Sequence, residues 1–581
     1  MQITTETPCT VTMEVGRLVR KRGENRVFLF EIYGHIREWS NKTKQMHMIL
    51  RILRDEENGV RERLYPIHVG CVSAQRLGMA FGGKLEVLLD SLFMDYVDEH
   101  PDQPFRAEVL YLTPDLEWTS IPIDYDITDV TSYVEPSNDL CDRFVNAVVY
   151  TAFTLLLPAL LINGWLATKG IGTLMAPEGT TGKRAVFLHT HNLVKSNCGY
   201  GYSIREYKTN YFKKKYEKYC KKYPKTEGIL FLSERPLDAG GNLDRVRSAL
   251  QKKGGYTFRE FLKDRSVRHL TFKELRECAE LMAKSRVVIL EDFVPQIHAL
   301  HMREDTKILQ LWHACGAFKL FGLSELDITR LPQRTRNHRN YSAAIVSSEG
   351  MVPFYSEAFG IEQRKVKPIG IPRTDIFFDE AYKSKKREEI YAKYPGWKGK
   401  KVVLFAPTFR GDGNTTAYYP HEKFPAAEIV DQLPEDVVLV VKHHPFVHSR
   451  PEIAPAYEEK IYDLTGKENI NDLLLVTDVL VTDYSSSIFE AALLDIPMLF
   501  YAFDLEEYLK DRDLYFDIGL FAPGEIVDTW QQLVGSVDRI LQEGEPPRDL
   551  TNFKRFFLGS LDGKSTERTV KLVEDLYEGR E

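Results

Sequence analysis

The sequence predicts an α/β protein: two doubly wound parallel-sheet units preceded by a β-rich, sandwich-like unit. Three observations carry this reading. Beyond residue 226, short continuous apolar runs alternate with charged, helical-looking segments, the pattern of strands buried on both faces of a parallel sheet. Before residue 135 the runs are short, partly alternating and punctuated by Gly, Asn, Asp and Pro, the pattern of antiparallel strands. Finally, 581 residues are too many for one hydrophobic core.

Composition narrows the class. Hydrophobic content of 43% and charged content of 28% are those of a soluble globular chain. A formal net charge of -7 argues against a bulk polyanion binder, so no nucleic-acid partner is expected. Cys9, Cys71, Cys141, Cys198, Cys220, Cys278 and Cys315 are odd in number and scattered. They form neither a CxxC pair nor a Cys/His zinc spacing, which fits a reducing compartment. The N-terminus lacks the basic and apolar regions of a signal peptide. No Gly-x-Gly-x-x-Gly follows a strand, which argues against a nicotinamide enzyme. No paired-carboxylate metal motif stands out, so neither metal nor cofactor is expected.

Taken in order, residues 1–135 read as the β-rich accessory unit, with runs such as "NRVFLFEIYGHI" and "PFRAEVLYLT". Residues 136–225 read as a membrane-proximal connection. Within it, 144–168 carry no formal charge. As a helix this stretch would be about 37 Å long, enough for a bilayer core of roughly 30 Å. Pro158, Asn146, Asn163 and Gly164 weaken a spanning reading. A helix or hairpin in one leaflet and a helix buried against protein remain open beside it. Next, Arg205 to Lys225 hold eight lysines and five tyrosines. Tyr211, Tyr216, Tyr219 and Tyr223 fall roughly on one helix face. The segment reads either as a solvated helix with a tyrosine seam or as a basic, aromatic helix on anionic lipid headgroups. Residues 226–384 and 385–581 read as the two parallel-sheet units, the second closed by a C-terminal helix.

Polar residues gather where these apolar runs end. "ILQLW" leads to His313, "VVLF" to Thr408 and Arg410, "VVLVV" to Lys442 and His444, and "VLV" to Asp483, Ser485 and Ser486. In open parallel sheets the crevice beyond the strands' carboxyl ends binds ligand. Arg373, Arg410, Lys319 and Lys442 there would offset an anion, and arginine can bind phosphate in a fork. The serines sit at a helix start, where free amides favour an anion. The same residues also fit a capping box, Ser487-x-x-Glu490. Pro445 favours an extended His444, aimed into the crevice, and His443 is expected to point elsewhere. Gly316 and Lys319 lie in a tight loop after His313, in "LWHACGAFKLFG".

The ordered set "QLWHACGAFKLFG", "PIGIPRTDIFF", "LFAPTFRGDG", "VVKHHP", "VLVTDYSSSIFEAALLDIPMLFYAFDLEEY" and "DGKSTER" resembles the successive motifs of the CDP-glycerol glycerophosphotransferases, the teichoic-acid primases and polymerases. The resemblance covers residues 226–575 and leaves the β-rich unit aside. This chain has "WHACGAFK" where many members have "WHGTPLK", and Glu490 where many have Asp. The resemblance implies a GT-B architecture of two Rossmann-like domains, acceptor on the first and nucleotide on the second. It implies transfer of glycerol phosphate from CDP-glycerol, with ribitol phosphate from CDP-ribitol as the alternative, to a lipid-linked glycan or polyol-phosphate chain as acceptor. It also implies an enzyme at the cytoplasmic face of the cell membrane. By match to its motifs, His313 is the candidate general base. His444, Arg410, Ser485 and Ser486 would stabilise the diphosphate, and Glu490 would hold the ribose or brace the loop. Two other classes stay open: a different GT-B enzyme making a glycosidic bond from a sugar nucleotide, and a non-catalytic envelope scaffold that binds glycan.

Overall fold

The computed structural model describes residues 2–4, 9–20, 26–36, 46–56, 59–75, 78–88, 104–113, 116–123 and 130–131, short pieces between 158 and 190, and then 204–234, 237–265, 269–325, 338–411, 416–511, 514–543 and 549–580. The statements below concern these residues.

The β-rich unit is one hydrogen-bonded sheet of nine strands: β1 (Gln2–Thr4), β2 (Cys9–Arg20), β3 (Arg26–Ile36), β4 (Met46–Glu56), β5 (Gly59–Gln75), β6 (Gly78–Leu88), β7 (Arg106–Leu112), β8 (Trp118–Ile123) and β9 (Val130–Thr131). Its order is β1-β2-β3-β6-β5-β4-β7-β8, with β9 on β2. The antiparallel character agrees with the sequence pattern. The sandwich does not, because the described strands pair in a single continuous sheet rather than in two. Both faces of β4 are covered at its centre, where Met48, Ile49, Leu50 and Ile52 are fully buried.

The two parallel sheets follow. The first holds β10 (Ile229–Ser233), β11 (Phe258–Leu262), β12 (Val287–Leu290), β13 (Lys307–Gln310), β14 (Ala343–Ile345) and β15 (Val366–Lys367). The second holds β16 (Lys401–Phe405), β17 (Val437–Val441), β18 (Ile461–Asp463), β19 (Val479–Thr482), β20 (Met498–Tyr501) and β21 (Glu525–Val527). β10, β12, β17 and β19 are buried along their whole length, as strands covered on both faces require. The second sheet runs β18-β17-β16-β19-β20-β21, which is the Rossmann order. The first runs β11-β10-β12-β13-β14-β15, the flavodoxin-like order extended by a strand. Each sheet has a switch point, beside β10 and β12 in the first and beside β16 and β19 in the second, and ligands bind beyond such points.

One helix joins the units against sequence order. Ser565–Glu578 follows the second sheet in the chain, yet Leu572, Val573 and Leu576 pack with Ile229, Phe231 and Ile289 of the first. Asp375, on the first unit, accepts the Ser565 and Thr566 amides at 3.0 and 2.8 Å and so caps this helix.

Of the apolar stretch, 144–157 and 160 lie outside the described residues. Residues 161–168 are helical, and Ile162 and Trp165 are exposed, at 59% and 54%. No described helix is long and apolar enough to cross a membrane. The lysine- and tyrosine-rich segment is the helix Ile204–Lys222. Its tyrosine seam packs inward. Phe212 and Tyr216 are buried, and Tyr211 meets Phe272 with ring centroids 4.9 Å apart. Lys208 is buried too and donates to the Leu270 carbonyl at 2.7 Å, and burial lowers its pKa to about 8. Lys214, Lys218, Lys221 and Lys222 stay exposed.

Candidate active site

The turn after β13 is built to present His313. Gln310 is fully buried and clasps it: its side-chain oxygen accepts the Trp312 amide at 2.9 Å, while its amide group donates to the Asp292 carbonyl at 3.0 Å and to Tyr341 at 2.9 Å. Trp312 takes a left-handed backbone, φ 54, unusual for a bulky residue. Its carbonyl accepts from Asn242 at 2.9 Å. The indole is thereby turned inward and His313 outward, 40% exposed, with the two rings 4.4 Å apart. Nδ1 of His313 lies 3.6 Å from Oδ1 of Asp292. That is longer than a hydrogen bond.

Asp292 and its neighbour Glu291 follow β12 at the switch point of the first sheet. Burial pushes the Glu291 carboxyl up to about 7, against the opposing pull of the Leu243 and Asn242 amides and Arg373. Neither residue stood out in the sequence. Their position just after "RVVIL", a strand-end position like that of His313, was the available signal.

The loop then crosses to the second unit. Gly316 has φ +73, and a Cβ there would come within 2.6 Å of the Phe489 ring, so both backbone conformation and close approach require glycine. Lys319 reaches Thr408, Nζ to Oγ1 3.5 Å, and lies over the Tyr508 ring at 5.5 Å. Arg373 pairs with Glu490, again between the units, and its amide donates to Asn242 at 2.9 Å. Glu490 therefore braces the two units. The Ser487 side chain makes no cap hydrogen bond, so the capping-box reading fails.

On the second unit the sequence candidates divide. Arg410 is 8% exposed and committed to carboxylates: Asp483 at 2.7 Å, and Asp504 through two nitrogens, each at 2.8 Å. Four rings surround it, those of Tyr419, Tyr484, Phe503 and Tyr508. Asp483 also accepts the Thr408 and Tyr484 amides at 2.7 and 2.6 Å. Arg410 thus organises the turns after β16 and β19, and its charge is already balanced. Lys442 is partly buried, which lowers its pKa, and Glu468 and Asp463 oppose that shift. His443 is buried among Phe405, Tyr419 and His421, and burial lowers its pKa to about 4. His444 is exposed beside Phe409, with ring centroids 4.8 Å apart. Its Nδ1 accepts the Phe446 amide at 3.2 Å, which leaves Nε2 as the N–H of the neutral ring. Ser485 and Ser486 precede the short helix Ile488–Leu493, half-buried and exposed respectively. Beside this set lies a cavity of ≈ 720 Å³ between Asp244, Asp379 and Lys564; none of the candidate residues lines it.

The first unit thus offers an imidazole with a carboxylate beside it, and the second an imidazole and hydroxyls. A lysine crosses between them.

Comparisons with known proteins bear on the family and the fold. A family model described as CDP-glycerol:poly(glycerophosphate) glycerophosphotransferase matches residues 228–575. The chain is 39% identical over 372 residues to the teichoic acid poly(ribitol-phosphate) polymerase of Bacillus spizizenii, covering 64% of this chain and 60% of that one. It is 37% identical over 358 residues to the teichoic acid ribitol-phosphate polymerase TarK of Staphylococcus aureus, covering 61% and 69%. To the teichoic acid glycerol-phosphate primase of Bacillus subtilis it is 31% identical over 307 residues, covering 51% and 75%. The chain therefore spans about 60% of the first polymerase's length. Among solved structures, the wall teichoic acid polymerase TagF superposes with a TM-score of 0.52 at 20% identity, covering 63% of this chain and 94% of that one; this is a likeness of fold. With more than half its length matched, the chain belongs to the CDP-glycerol:poly(glycerophosphate) glycerophosphotransferase family.

Proposed function

We propose that this protein transfers a polyol phosphate from a CDP-activated donor to a hydroxyl of a lipid-linked glycan or polyol-phosphate chain, in a GT-B arrangement of its two parallel-sheet units. The observation that carries the proposal is the exposed His313, with Asp292 beside it, at the head of a loop whose Lys319 reaches Thr408 on the second unit. The acceptor oxygen attacks the distal phosphorus, its proton passes to His313, the phosphoanhydride bond breaks, and CMP leaves. Lys319 offsets charge on the phosphates and the Nε2–H of His444 donates to them, which is most of what phosphoryl transfer asks of a protein. Asp292 stabilises the imidazolium that forms.

The sequence reading favoured glycerol phosphate. The likeness to two ribitol-phosphate polymerases, higher than to the glycerol-phosphate primase, supports CDP-ribitol as the donor to test first. The experiment is a donor screen with the full chain and lipid-linked acceptor. CMP release from CDP-ribitol or CDP-glycerol with growth of the acceptor is expected. Release of UDP or GDP from a sugar nucleotide, or donor binding without turnover, would overturn the reading.

The same proposal places the enzyme at the cytoplasmic face of the cell membrane, where a lipid-linked acceptor would lie. Exposed Ile162 and Trp165, and the exposed lysines of the helix Ile204–Lys222, support contact with an anionic surface.

A further inference from the structure

The β-rich unit is joined to the active-site loop by a buried polar chain. His47 on β4 and Glu357 on the helix Val352–Phe359 of the first parallel unit are 2.7 Å apart, with side chains 5% and 0% exposed. Glu357 also accepts the hydroxyl of Ser324, which is fully buried. Ser324 in turn accepts from the Tyr515 hydroxyl at 2.9 Å. Donation runs inward from both ends: a ring N–H from one side and two hydroxyls in series from the other converge on one carboxylate. Such a chain is satisfied only when all four groups are in place.

Both loop-side members touch the His313–Gly322 loop. Ser324 lies in the 3-10 turn Gly322–Glu325 that ends it. Tyr515 donates its backbone amide to the Phe318 carbonyl at 3.0 Å, and the adjacent Leu514 bridges Lys319. The His47 ring also packs edge-on against Tyr515, with centroids 5.0 Å apart. The β-rich unit is also held to the turns on either side of that helix: Trp118 donates to the Gly350 carbonyl at 3.0 Å, and Glu62 accepts the Gln363 amide at 3.0 Å.

We propose that His47 is a positioning residue for transfer: through Glu357, Ser324 and Tyr515 the β-rich unit fixes the loop that carries Lys319 toward Thr408. This rests on the function proposed above for its activity readout, and one arm of the test is independent of activity. Loss of the chain frees the loop without removing any group that meets substrate, so kcat falls while donor affinity holds.

The test is a cycle in the full chain: His47→Ala, His47→Gln, Lys319→Ala, and His47→Ala combined with Lys319→Ala. Turnover is measured per folded molecule, beside amide hydrogen exchange of residues 313–322. His47→Ala should lower kcat about tenfold and speed exchange in the loop, while His47→Gln, which keeps an N–H donor, restores both. In the Lys319→Ala background His47→Ala should cost nothing further, because residues acting through one group are not additive. Unchanged loop exchange in His47→Ala would overturn the proposal whatever the donor proves to be. So would losses that multiply in the double variant, since they would mean His47 acts elsewhere. Absence of turnover in the unmodified chain would instead count against the function itself.

Discussion

The two parallel sheets end in polar turns that look alike in sequence and differ in use. Beyond the first sheet His313 is 40% exposed, with one carboxylate nearby at 3.6 Å. Beyond the second Arg410 is 8% exposed and grips two carboxylates, Asp483 and Asp504. Both are basic groups delivered by a strand end. One is left exposed; the other is engaged in holding its own turns together. The deciding quantity is local charge balance. His443 and His444 repeat the contrast across one peptide bond: the first is shut among rings, the second is exposed beside Pro445.

If Arg410 is architecture, removing it should unfold more than it disarms. Arg410→Met strands two carboxylates in a buried setting, which costs about 3–5 kcal/mol when one partner of a buried pair is lost. Denaturant titration should show the drop, and Arg410→Lys should recover only part of it because a point charge cannot grip both carboxylates. An unchanged midpoint would return Arg410 to the ligand-binding set.

The next largest effect is acid sensitivity. The His443 pKa is lowered to about 4 by burial, whereas a free imidazole titrates near 6.5. The folded state must keep this ring neutral while the unfolded chain protonates it. Its contribution is therefore complete above pH 6.5 and is lost as pH falls toward 4, by up to about 3 kcal/mol. Melting temperatures between pH 7 and 4.5 should fall less steeply for His443→Phe than for the unmodified chain. His444→Phe should leave that slope as it is.

A smaller effect should separate the loop's geometry from its chemistry. Gly316→Ala places a methyl against Phe489 in a left-handed backbone, at a cost of about 1–3 kcal/mol. Thermal unfolding and turnover should both decline, and a larger residue at Phe489 should deepen the loss. Smallest of all is the surface term. Changing Lys214, Lys218, Lys221 and Lys222 to Gln should weaken sedimentation with anionic vesicles by about 1 kcal/mol or less per residue, and less at high salt. Turnover on a soluble acceptor should not change.

Much of this was legible in the chain. Apolar runs such as "VVLF" and "VVLVV" became β16 and β17, and the turn residues after them fell at one sheet edge. What sequence could not supply was partner choice between distant residues. Ser487 and Glu490 read as a capping box because the spacing is local; Glu490 instead meets Arg373, 117 residues away. The tyrosines of Ile204–Lys222 share a face, but only packing reveals that the face meets another helix rather than lipid. Asp504 gave no local sign that it holds Arg410, since that pairing exists only once β19 and β20 are laid in turn beside β16. The return of Ser565–Glu578 to the first sheet was illegible for the same reason: amphipathic spacing states that a face is buried and not against what.

In the proposed function His313 moves the acceptor's proton and does not hold the donor. The direct measurement is donor affinity by calorimetry beside CMP release, for folded His313→Ala and His444→Ala. Loss of a general base costs about 10²–10⁴-fold in rate. His313→Ala should therefore lose turnover on that scale and keep donor affinity within a few-fold, while His444→Ala should lose both. Near-normal turnover in His313→Ala, or complete loss of its donor binding, would contradict the account.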